Sequence, residues 1–131
     1  FEGYTSEEMK RQKEGRKIMH LPELKVSCTC VRVPVVRSHS VSIVVRTREK
    51  ISVERARQLI AAAPGCRLVD DLANKRYPMP LETSDQDLVF VGRIRDDLTS
   101  DNGLNIWCCG DQVRKGAATN TVQIAELAMG L

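Results

Sequence analysis

Aromatic residues are scarce in this sequence, and their scarcity narrows what the chain can bind. One Trp, two Tyr and two Phe make up 4% of the 131 residues. Basic residues are mixed with acidic ones, and the formal net charge is only +3. A nucleic-acid interface needs a continuous cationic face, and single-strand binders add aromatic residues for base stacking. We therefore expect no nucleic-acid partner, and an adaptor that binds nucleic acid or anionic lipid is the weakest interpretation.

Long apolar runs are also absent. A helix that spans a bilayer needs about 20 consecutive apolar residues, and no run in this sequence approaches that length. The charged and then apolar pattern of a secretory signal peptide is missing as well. We therefore predict no membrane insertion. The sequence begins with Phe1 rather than Met, which predicts processing, a fragment or an incomplete sequence.

Cysteine spacing argues against the common metal and redox motifs. The five cysteines occur as Cys28 and Cys30, as Cys108 and Cys109, and as a single Cys66. None of these spacings is CxxC and no pair of histidines completes a ligand set, so we predict no metal site. We predict that the cysteines are core residues rather than ligands or nucleophiles. Reduced thiols indicate an intracellular compartment.

The remaining composition is that of an ordinary globular domain. Hydrophobic residues make up 42% and charged residues 28% of the sequence, and the length suits one domain with its own core. We predict helices over Glu7 to about Met19, from the cap Ser52 to Ala63, and over Asp111 to about Met129, and strands over Cys28–Val33, Val41–Val45, Cys66–Val69, Leu88–Arg95 and Leu104–Cys109. The order predicts an α+β fold, a mainly antiparallel or mixed sheet backed by helices.

The stretch CTCVRVPVVRSHS, residues 28–40, carries the strongest chemical signal. Its first half reads as a buried strand that contains Arg32, and Pro34 then removes a backbone donor and ends the strand. If residues 34–38 connect two antiparallel strands, Arg32 and His39 stand roughly opposite each other. A permanent cation beside a side chain that titrates near neutrality suits an anionic substrate and a proton. The alternative is a surface arginine and a loop histidine.

Charged residues cluster on the first predicted helix. Glu7 and Lys10 are three residues apart, and Glu7 and Arg11 are four apart, so all three share one helical face. Ion pairs at this spacing on a solvated face contribute only about 0.2–0.5 kcal/mol. From the spacing alone we favour such an ion-pair face over a binding role.

Asp70 and Asp71 follow a short predicted strand and precede a long loop, residues 72–84. Paired acids can bind a metal or exchange protons, but no further carboxylate or histidine stands at ligand spacing. We therefore predict capping roles at the start of the loop. A loop of this length tends to be functional.

The last predicted helix is apolar around much of its circumference, which predicts cover on more than one side. Asn120 falls on its first apolar seam with Ala117, Ile124 and Leu127. A buried amide without a hydrogen bond would cost about 1–3 kcal/mol there. Asn120 therefore needs a partner, which is either a structural group or a cofactor.

Several motifs together resemble a known family. In order along nearly the whole chain they are GYTSEEMK, CVRVPVVRSHS, RYPMPL, FVGRIR and RKGAATNTVQIAEL. In this order they closely resemble the C-terminal half of aspartate-β-semialdehyde dehydrogenase. The resemblance implies the dimerisation and substrate-binding domain over residues 1–131, without the Rossmann domain, and a last helix that packs toward the missing nucleotide-binding domain.

The resemblance also implies a role for each matching residue. In EExK, Glu7 would meet the substrate's amino group and Lys10 would meet phosphate. Arg32 would bind the substrate carboxylate and His39 would be the general acid and base. The KGAxxN turn would bring Asn120 against the nicotinamide nucleotide.

The reaction implied by the resemblance needs parts that this sequence lacks. In the family, a cysteine thiolate adds to an aldehyde, hydride passes to NADP, and phosphate releases an acyl phosphate. The nucleophile's Asn-Cys-Thr type of motif is missing, and no GxGxxG-like loop occurs. We therefore expect NADP to be bound mainly by the missing half and no cofactor on this chain alone, which we predict to be inactive. The implied location is the cytoplasm, or the plastid stroma in a photosynthetic eukaryote.

Two classes of function stay open. In the first, the chain is the dimerisation and substrate-binding half of a working dehydrogenase, with an N-terminal half or a homodimer partner and with aspartate semialdehyde and phosphate as ligands. In the second, it is a truncated, inactive relative that serves as a structural subunit of a larger assembly. The full set of implied site residues favours the first class, whereas the start at Phe1 and the lack of the nucleotide-binding domain favour the second.

Overall fold

The computed structural model describes residues 2–131, which form two compact units. The first unit extends to Pro34, and the second runs from Val35 to Leu131. Helix α1, Ser6–Ile18, is the regular element of the first unit and lies within one residue of the predicted bounds. Within the described residues, no helix has the length and apolar character that crossing a membrane requires.

A capping box and flanking charges stabilise α1. Thr5 is the N-cap: its Oγ1 accepts from the Glu8 backbone N–H at 3.3 Å, and the Glu8 carboxylate accepts from the Thr5 N–H at 2.7 Å. Acidic residues occupy the first turn and basic residues the last, which complements the helix dipole. No side chain of α1 is buried within the described residues. Its stability therefore depends on local contacts more than on packing.

The strand predicted over Cys28–Val33 is not formed, so this prediction was wrong. The backbone N–H of Cys30 donates to Glu8 Oε1 at 2.8 Å instead of to a neighbouring strand. A strand needs a partner that satisfies its N–H and C=O groups, which an apolar pattern alone does not supply. The predicted strand pair that would set Arg32 opposite His39 is therefore absent from the described residues.

The second unit is built on a four-stranded sheet. Its strands are β1 (His39–Arg46), β2 (Cys66–Leu68), β3 (Val89–Asp96) and β4 (Gly103–Gly110). They lie in the order β1-β4-β3-β2. Strand β4 is antiparallel to both of its neighbours, whereas β2 is parallel to β3. The predicted α+β fold with a mainly antiparallel or mixed sheet is confirmed.

Helix α2, Val53–Ala62, packs against β2 and β3 and completes the apolar core. Its N-cap is Ser52, as predicted, and the Ser52 Oγ accepts from the Arg55 N–H at 3.1 Å. The buried core residues and the partly buried residues around them are Ala56, Ile94, Leu104, Val45, Ile51, Val53, Ile60, Leu68 and Ile106. Val53, Ala56 and Ile60 recur at helical spacing, and this apolar stripe is the side of α2 that belongs to the core.

Asp70 stabilises an irregularity in β3. The register with β4 shifts within residues 92–95, and Arg93 has a φ of 52°. The Asp70 carboxylate accepts hydrogen bonds from the Arg93 N–H at 2.9 Å and the Ile94 N–H at 3.2 Å. It also pairs with Arg57 Nη2 at 2.8 Å. The structure therefore assigns Asp70 a structural role, in agreement with the predicted capping function.

The segment after β2 lies directly against β3 at Gly92. A Cβ at this position would overlap the Val69 carbonyl oxygen and Pro78, so only glycine permits the close approach. Trp107 Nε1 donates to the Pro78 carbonyl at 3.0 Å and fixes the same segment. The long predicted loop is interrupted by the short helix α3, Pro80–Thr83.

The last helical region begins later than predicted. A π-helical turn, Arg114–Ala118, precedes helix α4, Thr119–Met129, which ends at Gly130 with a φ of 74°. The prediction placed the start at Asp111, whose side chain instead accepts from the backbone N–H groups of the first turn. No residue of α4 is buried within the described residues. The cover expected from its apolar seam is therefore not supplied by those residues.

Candidate functional site

Glu7 and Lys10 lie on α1, and each forms an ion pair within the helix. Glu7 Oε1 lies 2.9 Å from Arg11 Nη2, and Lys10 Nζ lies 3.9 Å from Glu14 Oε1. Both pairs are four residues apart and about half exposed, so each contributes only about 0.3–0.5 kcal/mol. These geometries agree with the ion-pair face favoured by the spacing. Contacts this weak leave both side chains able to exchange partners for a ligand.

Glu8 connects α1 to the segment that precedes Arg32. Its carboxylate accepts from the backbone N–H groups of Thr5 and Cys30, at 2.7 and 2.8 Å. These two backbone hydrogen bonds, Thr5 first, lower the pKa of Glu8 below its ordinary value. The Thr5–Glu8 spacing is a capping-box signal that the sequence contains. The contact with Cys30 is a tertiary one that no local pattern indicates.

The Glu8 contacts predict an acid-sensitive attachment of residues 28–30. Since the pKa of Glu8 is lowered in the folded state, its stabilising effect is complete above the ordinary carboxyl value, about 4.3, and is lost as the pH falls through the lower folded value. We expect the Cys30 amide resonance to move as the pH falls from 7 to 3 in a ¹⁵N-resolved NMR titration.

The matched control for this titration is another glutamate of the same helix. Glu8→Gln should abolish the acid-dependent movement of the Cys30 amide, because glutamine does not titrate. Glu14→Gln should leave it intact, because Glu14 contacts Lys10 and not Cys30. If Glu8→Gln titrated like the parent chain, another group would control this segment.

Arg32 lies in the first unit and its side chain is exposed. Among residues 2–131, its guanidinium forms no hydrogen bond or ion pair. A cavity of about 460 Å³ lies in the same unit and is lined by Glu2, Tyr4, Glu8, Met9, Gln12, Val26, Ser27 and Cys28. Arg32 is not among these lining residues, and its charge is accessible to an anion from solvent because its side chain is exposed.

His39 is the first residue of β1, in the second unit, where it pairs in register with Gly110 of β4. Its side chain is exposed. Within the described part of the chain, the imidazole forms no hydrogen bond or ion pair. An accessible imidazole with both nitrogens open can accept and return a proton. Arg32 and His39 thus belong to different units.

A buried carboxylate, Asp111, lies one residue beyond β4 and is 0% exposed. Its Oδ2 accepts from the Asp85 N–H at 2.8 Å and lies 2.7 Å from Arg37 Nε. Its Oδ1 accepts from the N–H groups of Val113 and Arg114, at 2.8 and 3.1 Å. The Arg37 contact has the distance of an ion pair but not the angle of a hydrogen bond.

These contacts keep Asp111 ionised. Burial by itself would raise the pKa of Asp111, but the hydrogen bonds from Asp85, Arg114 and Val113 and the Arg37 side chain outweigh it, so the pKa lies well below its ordinary range. An aspartate between a strand and a helix is a common N-cap signal. No local pattern indicates the ion pair with Arg37, because Arg37 and Asp111 are distant in the sequence.

Ser38 joins this cluster to His39. It is buried and has a φ of 82°, a conformation that is uncommon for a residue with a Cβ. Its N–H donates to Gln112 Oε1 at 2.8 Å, and its Oγ lies 3.3 Å from Ser84 Oγ. Sequence reasoning assigned none of these residues a role.

Asn120 lies in the first turn of α4. Its Oδ1 accepts a hydrogen bond from Lys115 Nζ at 3.1 Å, and Lys115 also donates to Gln123 Oε1 at 2.6 Å. The structural partner that the amide needs is therefore Lys115. The Asn120 Nδ2 group forms no hydrogen bond within residues 2–131, so one donor remains open to a ligand.

The cysteines are all free thiols. Cys109 is buried, as predicted, and the other four are partly buried. Burial raises the pKa of the Cys30, Cys108 and Cys109 thiols. A raised pKa leaves little thiolate at neutral pH, which makes these three poor nucleophiles. In the described range, no group of three or more His, Cys, Asp or Glu side chains is arranged to hold a metal ion.

Comparison with known proteins agrees with the fold and the motifs. Residues 1–115 match the semialdehyde dehydrogenase dimerisation domain family. The chain is 52% identical over 126 residues to an aspartate-semialdehyde dehydrogenase of Aquifex aeolicus. The aligned region covers 96% of this chain and 37% of that protein. It is 50% identical over 124 residues to that of Synechocystis, with 95% and 37% coverage.

A solved structure extends the similarity to three dimensions. Aspartate semialdehyde dehydrogenase II of Vibrio cholerae, complexed with ASA, superposes with a TM-score of 0.85 at 41% identity and covers 98% of this chain and 38% of that one. The chain thus spans little more than a third of the length of the relatives it matches.

Proposed function

This chain belongs to the semialdehyde dehydrogenase dimerisation domain family, and from that premise we propose that it is the C-terminal, substrate-binding half of an aspartate-semialdehyde dehydrogenase. The proposed reaction is the NADP-dependent interconversion of aspartyl phosphate and aspartate semialdehyde, a step of amino-acid biosynthesis. The observation that carries the proposal is about 50% identity over nearly the whole chain, with every residue implied by the resemblance present.

The cationic residues would hold the acidic parts of the substrates. Arg32 has an accessible guanidinium whose planar fork can bind a carboxylate through two parallel hydrogen bonds, which lysine cannot do. Lys10 presents a point charge to phosphate, and its ion pair with Glu14 at 3.9 Å is weak enough to exchange. Glu7 complements an ammonium group at the cost of its surface pair with Arg11.

His39 would move the proton. We propose that a cysteine outside this chain supplies the thiol that adds to the aldehyde, since none of the five cysteines here stands in an Asn-Cys-Thr type of motif. His39 would take the proton as the thiol becomes a nucleophile and return it when the product forms. The exposure of the imidazole supports this role, because a reacting group must reach it.

The residues of this chain fit only a small part of NADP. When bound, NADP supplies the hydride acceptor in the oxidative direction. The open Nδ2 donor of Asn120 can reach one polar group of the nucleotide, with Lys115 holding the amide in place. No glycine-rich loop occurs in the sequence, so we propose that the rest of the cofactor is bound by the other half of the enzyme.

The exposed seam of α4 would face that other half. Val122, Ile124, Leu127 and Met129 are 57–81% exposed, which is a large apolar surface for one short helix. We propose that α4 packs toward the nucleotide-binding domain, that the domain forms homodimers, and that the enzyme works in the cytoplasm or plastid stroma.

A structural subunit remains the second candidate function. The observation that favours it is that Glu7 and Lys10 form ion pairs with other residues of α1, as surface residues without a binding role do. The mass of the native polypeptide separates the two candidates, as does whether a second chain that carries a cysteine reaches His39.

A graft tests the proposed function. This chain would replace the matching 124 residues of the Synechocystis relative, and NADP reduction would be assayed with aspartate semialdehyde and phosphate. We expect turnover by the graft and none by the isolated chain, because the latter lacks the nucleophile and the cofactor domain. The relative rebuilt with its own segment is the control. A folded but inactive graft would refute the proposal. Turnover by the isolated chain would refute the claim that the nucleophile and the cofactor-binding domain lie outside this chain.

A further inference from the structure

The backbone immediately before His39 is held in an unfavourable conformation. Ser38 has a φ of 82° although it carries a Cβ. Such a conformation persists only where surrounding contacts impose it, and it is often associated with functional sites. Here the contacts are Gln112 Oε1, which accepts from the Ser38 N–H at 2.8 Å, and Ser84 Oγ, at 3.3 Å from Ser38 Oγ.

Asp111 ties together the segments that supply these contacts. Its carboxylate pairs with Arg37 at 2.7 Å, directly before Ser38. It accepts from the Asp85 N–H at 2.8 Å, directly after Ser84. It also accepts from the backbone of the turn that leads toward α4. One buried anion therefore contacts Arg37, which precedes Ser38, Asp85, which follows Ser84, and the start of the last helical region.

The residues that hold Ser38 form a polar cluster, which consists of Arg37, Ser84, Asp85, Asp111 and Gln112. None of them belongs to the apolar core that α2 forms with the sheet. The imidazole of His39 makes no hydrogen bond of its own within residues 2–131. With no contact of its own, the imidazole takes its place from the backbone, which is held by the pairing of His39 with Gly110 on one side and by Ser38 on the other.

We propose that Asp111 is a positioning residue for His39: its carboxylate fixes Arg37 and the Gln112 turn, so that Ser38 fixes the point and direction at which the His39 side chain leaves the backbone. The inference rests on the proposed role of His39 as general acid and base. The same carboxylate accepts hydrogen bonds from the turn that precedes Asn120, and so couples the placement of both residues.

NMR relaxation on the 131-residue chain tests the contact without any need for catalysis. In Asp111→Asn, the backbone order parameters of Ser38 and His39 should fall from about 0.85 to below about 0.6, while those of Leu104 in the core stay unchanged. Asp87→Asn is the matched control. Asp87 pairs with Arg114 at 3.2 Å in the same neighbourhood but touches neither Arg37 nor Ser38, so the order parameters should not change.

Kinetics on the graft described above test the consequence. Asp111→Asn should lower kcat about 10²-fold with KM changed less than about threefold, because a displacement of about 1 Å can cost that much in rate. Ser38→Gly is a second variant that keeps the fold, since glycine adopts this φ without strain. Because glycine lacks the Oγ contact with Ser84 and also adopts other φ values, the backbone before His39 should become freer, which should lower kcat without lowering the melting temperature.

The outcomes separate the two proposals. Unchanged order parameters at Ser38 and His39 in Asp111→Asn would overturn the positioning role, and so would an unchanged kcat in a folded variant. A uniform loss of order across the whole second unit would also overturn it, because Asp111 would then be a general stabiliser. An inactive unsubstituted graft would refute the proposed function alone, and the order parameters would still decide whether Asp111 holds His39.

Discussion

His39→Asn should lower kcat of the grafted enzyme by roughly 10²–10⁴-fold, the usual contribution of a positioned general acid or base. Asparagine retains hydrogen-bonding groups of similar size but does not exchange a proton near neutral pH. Because His39 is exposed at the start of β1, the substitution should leave the melting temperature unchanged. Initial rates of NADP reduction at saturating substrate measure the effect.

The second histidine provides a matched control. His20 is exposed just after α1, and no motif assigns it a role. His20→Asn should therefore leave kcat unchanged. A His39→Asn enzyme that kept its rate within about threefold would place the proton transfer on another group.

Arg32→Lys separates binding from proton transfer in the same assay. Lysine keeps the positive charge but lacks the planar guanidinium that donates two parallel hydrogen bonds to a carboxylate. One charge-assisted hydrogen bond to the substrate is therefore lost. At about 1.5–3 kcal/mol for such a bond, KM should rise by roughly 10- to 150-fold. A change confined to kcat would contradict the assignment of Arg32 to the substrate carboxylate.

Asp70→Ala should destabilise the second unit by about 3–5 kcal/mol, the cost of removing one partner from a buried ion pair. The Asp70 side chain is 1% exposed, and its loss leaves Arg57 without its carboxylate partner, although Arg57 keeps its bond to the Asp70 carbonyl, and leaves the N–H groups of Arg93 and Ile94 without an acceptor. A loss of this size is a large part of the 5–15 kcal/mol that stabilises a typical domain. Urea unfolding followed by Trp107 fluorescence measures it.

Asp71→Ala is the neighbouring control for Asp70. Asp71 is exposed and its carboxylate bonds only to Asn74 among the described residues, so the midpoint should move much less. A double variant that also replaces Arg57 by Met should not recover the loss, because the two backbone N–H groups would still lack an acceptor. Full recovery would mean that the ion pair, and not the bulge, is what Asp70 stabilises.

Local patterns predicted most of the regular structure. The helix starts at Thr5 and Ser52 follow from capping preferences, and the face of α2 follows from apolar spacing. Four of the five predicted strands are present, within one residue at each end except at β1, which begins two residues earlier than predicted. These features depend on residues close together in the sequence, so the sequence contains the information that specifies them.

The same reasoning failed where the partner was distant. The apolar alternation before Pro34 predicted a strand, yet the Cys30 N–H bonds to the side chain of Glu8, 22 residues earlier. A periodic pattern reports that one side of a segment is apolar, but it does not identify which group satisfies the backbone. For the same reason, Asp111 was predicted as the start of a helix and not as the partner of Arg37.

By itself, the sequence determined the family, the fold class and the set of residue types available for binding an acid and moving a proton. These depend on motif identity and local periodicity, which are written along the chain. Only the tertiary structure decided that the buried carboxylate of Asp111, after β4, pairs with the Arg37 side chain, and that Asp70 accepts hydrogen bonds from the backbone at the irregularity in β3. Arg37 and Asp111 are 74 positions apart and Asp70 and Arg93 are 23 apart, and the hydrogen bonds and ion pairs that offset the burial of these charges form only in the folded chain.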